Sequence, residues 1–221
     1  MDAGLLLLAD SRLPAGAHAH SGGLEPAASA GAVTDVAGLT GFLRGRLATT
    51  GLVTAALAAA ACAGGSGGWV RLDREADART PSPAQRQASR AQGRSLLRAV
   101  RTAWPNAGLE ALSAVAEAGP HHPIVLGATT AVAGGGPGEA AAIAAYGAVT
   151  GPASAAVRLL GLDPLAVHRA LAGLAPHIDA VAVRAAGYAT GDPADLPAAS
   201  APLLDLYAEL HLHADLRLFE S

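Results

Sequence analysis

SPAQRQASRAQGRSLLRAVRTAW, residues 82–104, carries the clearest helix signals in the chain. Ser82 offers a capping hydroxyl, Pro83 suits the first helical position, and Gln85 stands three residues after the cap. Leu96, Leu97, Val100 and Trp104 then share one apolar side. Arg86, Arg90, Arg94 and Arg98 recur every fourth residue and drift only slowly around a helix, so they form one basic stripe. Such a stripe is expected as a solvated face, with docking of an acidic partner as the second reading. Nucleic acid is disfavoured, because the stripe is short, no aromatics interleave with it, and the formal net charge is −3.

Helical patterning extends outward in both directions. Towards the N-terminus, Leu72–Arg79 reads as a charged helix and Gly64–Gly68 as a flexible loop. Leu39, Phe42, Leu43 and Leu47 fall at helical spacing behind a cap at Thr34 or Asp35, with a break expected near Gly51 and a resumption through Ala61. Gly4–Ala9 and Leu24–Ala30 read as short helices separated by an irregular Ser11–Gly23. Towards the C-terminus, helices are expected at Leu109–Glu117 and Ile124–Ala133, with Gly119–Pro123 between them as an exposed turn. Gly134–Gly138 is a helix–helix turn. Glu139–Gly161 follows, with an interruption at Gly151-Pro152, and Asp163-Pro164 opens a helix to about Gly187. Gly191–Ala201 is a connector before a last helix starting at Leu203, Leu206, Tyr207 and Leu210. No strand alternation or repeat is evident. The expected fold is all-α, a single domain of many short-to-medium helices over residues 1–221.

Composition agrees. Of 221 residues, 51% are hydrophobic but only 3% aromatic, so Ala, Leu and Val must build the core. Small side chains let helices approach closely. All 15 basic residues are Arg. Without Lys there is no Schiff base, and Gly134–Gly138 cannot complete a phosphate loop. The composition therefore predicts no nucleotide hydrolysis by this chain. The single Cys62 excludes an internal disulfide framework, reads as a small core residue, and fits a reducing cytosol. Gly4–Ala9 lacks the basic leader of a signal peptide, and Leu52–Ala63 is shorter than the ~20 residues of a membrane span.

The most distinctive motif is LPAGAHAHSGGLE, residues 13–25. It resembles the N-terminal signature of the UreF family of urease accessory proteins, Leu-Pro-x-Gly followed by Ser-x-Gly-Leu-Glu. Leu13, Pro14, Gly16, Ser21, Gly23, Leu24 and Glu25 match, and His18 and His20 stand where that family usually carries aromatic-type residues. At the other end, Arg217, Leu218, Phe219 and Ser221 match the family's Arg-Leu-Phe-x-Ser. Between them, Pro120–Ala133 and Tyr146–Leu160, with its Ser-Ala-Ala-Val-Arg158-Leu, are similar to its middle helices.

The resemblance implies an all-helical, non-catalytic maturation factor of the cytoplasm, acting as a homodimer without cofactor, nucleic acid or membrane. Its implied partners are UreD (also called UreH), the GTPase UreG and, through their complex, apo-urease awaiting nickel. It implies a partner-binding loop over residues 11–25, with Pro14, Gly16, His18, His20, Ser21, Gly23, Leu24 and Glu25. A tail over residues 211–221 would add Arg217, Leu218 and Phe219, and the middle would add Tyr146 and Arg158. Each has a structural alternative. Glu25 could cap its own helix, the tail could fold on its own core, and Tyr146 and Arg158, about 120° apart on one helix, need not share a site. His18 and His20, two apart in an extended segment, could grip one Ni²⁺, with His121 or His122 assisting, which is the metallochaperone alternative. His211 and His213 cannot both face one way on a helix. No Ser-His-Asp order is defensible from the sequence.

Overall fold

The computed structural model of the protein describes residues 3–14, 19–214 and 217–219. Its helices are α1 (Ala3–Ala9), α2 (Leu24–Ser29), α3 (Val36–Arg46), α4 (Leu52–Ala78), α5 (Pro83–Ala103), α6 (Ala107–Ala111), α7 (His122–Val132), α8 (Pro137–Leu160), α9 (Pro164–Ala186) and α10 (Pro202–Leu212). No strand occurs among the described residues, so the all-α expectation holds. The expected caps are also present. Asp35 accepts from Gly38 N at 2.7 Å, Ser82 from Gln85 N at 3.1 Å, and Asp163 from Leu165 N and Ala166 N.

At the centre, α4 lies against α7, α8 and α9. Ala55 through Ala61 are all buried, giving α4 a nearly continuous small-residue surface. α7 meets it so closely that a Cβ on Gly127 would stand 2.1 Å from the Ala58 carbonyl oxygen. Buried leucines fill the rest of the core, among them Leu39, Leu43, Leu47, Leu52 and Leu96. Each fully buried leucine contributes roughly 1.5–3 kcal/mol through removal of apolar surface from water.

Several boundaries differ from expectation. The break near Gly51 is a π-helical turn, Leu47–Gly51, and the helix passes through it. Gly64–Gly68 is no loop: α4 runs on past one kink, at Gly65, with φ 56°. The Trp69 indole donates to the Ala61 carbonyl across that kink at 3.0 Å, so the buried tryptophan joins the two halves. Leu72–Arg79 is consequently the end of α4. The helix expected at Leu109–Glu117 shrinks to α6 and a 3₁₀ turn, Leu112–Ala114, where the Ser113 hydroxyl bonds the Glu110 carbonyl at 2.8 Å.

α8 is not interrupted at Gly151-Pro152 either. Proline lacks the N–H that would bond the carbonyl four residues back, at Ala148. Arg46 supplies the missing donor from another helix, with its Nε 3.1 Å from the Ala148 oxygen. Burial pulls the Arg46 guanidinium down to about 10, which leaves it charged at neutral pH.

Two helical segments, Val36–Ala78 and Pro137–Leu160, are long and apolar enough to cross a membrane, which corrects the expectation that no apolar stretch has that length. Their most apolar windows are 67% and 56% buried among the chain's other helices, as core helices are.

The α4–α7 crossing gives a direct test. Gly127→Ala is expected to lower stability by about 3 kcal/mol in chemical denaturation, because backbone has to move to admit one methyl group. Gly45→Ala, where nothing lies within 4 Å, is the control and is expected to leave stability unchanged or slightly raised.

Candidate functional site: the two chain ends meet at Glu25

The segment before α2 is shaped by two consecutive glycines, Gly22 (φ 62°) and Gly23 (φ 88°). A side chain is strained at either angle. The space is also closed: a Cβ on Gly22 would lie 3.0 Å from Pro152 and 3.1 Å from the Arg46 guanidinium. A Cβ on Gly23 would lie 3.2 Å from Leu204 of α10. The loop is therefore held between α8 and α10, resting on the same Arg46 that repairs the Pro152 gap. Ser21, fully buried, accepts from Glu25 N at 3.1 Å and fixes the first turn of α2.

This turn aims the buried Glu25 carboxylate at the C-terminal tail. Oε1 accepts from Leu218 N at 2.8 Å and Oε2 from Phe219 N at 2.9 Å. His211 Nε2 donates to the Phe219 carbonyl at 3.1 Å and lies 3.4 Å from Glu25 Oε2. The Phe219 ring is buried, and the Arg158 guanidinium stacks over it 4.4 Å from the centroid. His213 faces solvent while His211 is buried, as two-residue helical spacing requires.

Ser21, Gly23, Leu24, Glu25, Arg158 and Phe219 thus form one constellation. The tail follows its structural alternative, with Phe219 folded onto the core, whereas Glu25 does not cap its own helix: its carboxylate binds the tail backbone. Leu218 remains 76% exposed and Tyr146 46% exposed. Pro14 and Arg217 are exposed too, and Arg217 is separated from the buried ring by only one residue. Tyr146, Arg158 and His20 line one cleft of about 1000 Å³. The expectations placed on Gly16, His18 and Ser221 lie outside the described residues. Pattern reading missed His211 as a tail ligand and Arg46 as the loop's support, since neither sits in a distinctive motif.

Two further expectations need correction. Gly119–Pro123 is not an exposed turn, because Pro120, His121 and Pro123 are buried. The arginine stripe is not simply a solvated face. Arg90 bonds Asp73 Oδ2 at 3.0 Å, Asp77 Oδ2 at 2.6 Å and the Gly119 carbonyl. Arg94 takes the Ala118 carbonyl, and Arg86 the Thr80 carbonyl at 2.7 Å. These guanidinium groups reach the carbonyls of the turns around α5 and use the stripe to pin them.

His121 completes the network. Its backbone N–H donates to Asp73 at 2.8 Å, while its ring contacts Ser89 Oγ and Asp77 Oδ1, each at 2.9 Å. Burial pushes the His121 pKa down despite the neighbouring carboxylates, so the neutral ring donates from Nε2 to Asp77 and accepts from Ser89. Burial raises the Asp77 carboxyl, but the His121 bond and the Arg90 charge outweigh it and hold its pKa low.

Asp73, Asp77 and His121 place ligand-type atoms within 4.8 Å of one another. Arg90 already supplies the positive charge between the carboxylates, so the cluster is a closed ion network and a poor metal cage. Ser89, His121 and Asp77 form a serine–histidine–aspartate chain in space that the sequence does not reveal. Ser89 lies mid-helix, where backbone N–H groups are committed to the helix and none is left to stabilise an oxyanion.

The sequence profile of the UreF family matches residues 33–175. The chain is 49% identical over 217 residues to the urease accessory protein UreF of Mycobacterium sp. (strain JLS), covering 98% of this chain and 97% of that protein. This chain belongs to the UreF family. The urease accessory protein UreF of Mycolicibacterium vanbaalenii is 45% identical over 224 residues, again covering 98% of this chain and 97% of the relative. That of Mycobacterium tuberculosis (strain H37Rv) is 46% identical over 207 residues, covering 94% of this chain and 92% of the relative. The family profile matches the helical core, whereas the relatives extend the likeness over nearly the whole chain.

In this UreF-family chain Glu25→Gln replaces one acceptor oxygen with an N–H donor facing another N–H. Hydrogen bonds to a charged group contribute about 1.5–3 kcal/mol. The Leu218 and Phe219 amides are therefore expected to exchange with deuterium at least ~10-fold faster in Glu25→Gln, with α8 unchanged. Unchanged exchange would mean that the ring alone seats the tail.

Proposed function

We propose that this chain is the non-catalytic scaffold of urease maturation. It binds UreD (also called UreH), recruits the GTPase UreG, and biases the GTPase cycle so that nickel reaches apo-urease. Membership of the UreF family supports the urease accessory role. The observation that carries the scaffold reading is the Glu25 junction. It gathers the two end motifs into one surface whose Leu218, Tyr146 and Arg158 face outward. On α10, Leu203, Leu206 and Leu210 are exposed by 57–69% and offer further apolar area for a partner.

A scaffold acts by binding one state of its partner more tightly than another. Exposed leucines and a rim arginine suit that role, since apolar anchors provide affinity and a guanidinium fixes orientation. The whole chain acts as one unit in this reading, as a cytoplasmic homodimer. The metallochaperone alternative receives less support. His20 and His122 line the same cleft, and His122 opens α7, where the helix field opposes a bound cation.

Co-purification with UreD and UreG tests the proposal. Deletion of residues 217–221 is expected to weaken UreD capture at least tenfold with helicity intact. Leu218→Asp, which leaves Phe219 seated, is expected to do the same. The isolated chain is expected to show no GTP turnover. Full capture by both variants would remove the tail from the interface.

A further inference from the structure

α9 packs on the core through one side, where Val167, Leu174, Ala182 and Ala185 are buried. Its opposite side is uncovered. Leu165 is 81% exposed and Val183 75% exposed. They are 18 residues apart, which is five helical turns, so they lie on one line along the helix. Ala172 and Pro176, both exposed, fall within about 20° of that line. Arg169 and Asp179, also exposed, flank it by about 40°, one on each side. Neither charge forms an ion pair among the described residues. The stripe is about 27 Å long at 1.5 Å per residue.

We infer that this face of α9 joins two copies of the chain, antiparallel across a two-fold axis at the level of Leu174. The inference rests on the homodimer of the preceding reading and assigns the surface that forms it. A two-fold interface needs a patch that complements itself: where one residue meets another, the second meets the first in the other copy. The uncovered stripe has that symmetry. Leu165 and Val183 each stand nine residues from position 174, Arg169 and Asp179 five, and Ala172 and Pro176 two. Across the axis, Leu165 therefore packs on Val183 of the second copy and Arg169 faces Asp179 of the second copy, each contact being made twice.

Charge selects both the orientation and the occupant. A parallel pair would set Arg169 against Arg169 and Asp179 against Asp179, with like charges at both levels. The antiparallel pair makes two contacts of opposite sign instead. An unrelated protein would impose no paired placement on the apolar ends, the charges and the small centre, whereas a second copy requires it. Ala172 and Pro176 present short side chains at the centre, so the two helix axes can approach to about 8–10 Å. At that separation the long arginine stem spans the seam to a carboxylate.

Sedimentation velocity of the full chain over a concentration series provides the test, with far-UV circular dichroism as the check on folding. Wild type is expected to be dimeric. Arg169→Asp and Asp179→Arg each put two like-charge contacts at the seam and are expected to weaken the dimer at least ~10-fold. An equimolar mixture of the two variants is expected to recover wild-type affinity to within about threefold, because every charged contact then joins opposite signs. The double variant, with the two charges exchanged, is expected to recover it as well. A folded wild type that stays monomeric would overturn the homodimer reading, and this inference with it. A wild-type dimer that both single variants leave intact, or a loss that neither the mixture nor the exchange restores, would overturn the α9 face and leave the homodimer standing.

Discussion

At the crossing of α4 and α7 the Ala58 carbonyl occupies the space that any side chain on residue 127 would need, 2.1 Å from its Cβ position. With 3% aromatics this chain cannot fill wide gaps between helices, so backbones must come together. The buried alanines of α4 permit that approach along the helix, and Gly127 permits it on the opposing side. The approach sets the position of α7, hence of the His121–His122 turn at its start. It also holds α4 centrally, so that α8 and α9 pack around it. Every element carrying a candidate functional residue is placed relative to this contact.

The functional corner rests on a second constraint, the hydrogen-bond demand of buried backbone. Pro152 leaves the Ala148 carbonyl without its helical donor, and Arg46 answers from α3. The same guanidinium supports Gly22, so a helix defect and a loop share one residue. Glu25 meets a similar demand at the tail, where the Leu218 and Phe219 N–H groups have no helix to join. Both devices use a charged side chain as a substitute for regular secondary structure. Each ties together segments more than 100 residues apart in sequence.

The arginine stripe of α5 follows the same logic. Its spacing is that of a solvent-facing row, yet Arg86, Arg90 and Arg94 fold over carbonyls and carboxylates of neighbouring turns. A guanidinium has five donors on a long stem and can bridge several acceptors, where a lysine would serve as a point charge. A chain whose basic residues are all arginine can therefore secure irregular turns such as Gly119–Pro123 inside the fold.

Much of the local architecture was legible in the sequence. Ser82-Pro83, Asp163-Pro164 and Asp35 marked true helix starts, because a cap is a contact between near neighbours. Residues 13–25 and 217–221 marked both chain ends as belonging to the UreF family. The breaks were misplaced at Gly51, Gly64–Gly68 and Pro152, where Trp69 or Arg46 bridges the defect or a π turn absorbs it. Sequence by itself determined helix content, caps, family, and the absence of lysine chemistry, all properties of residues within a few positions or of composition. Tertiary structure alone decided that Glu25 meets Phe219 and that Arg90 lies between two aspartates. Those pairings depend on where distant helices are packed, and helical periodicity specifies the face a residue occupies but not the segment that will cover it.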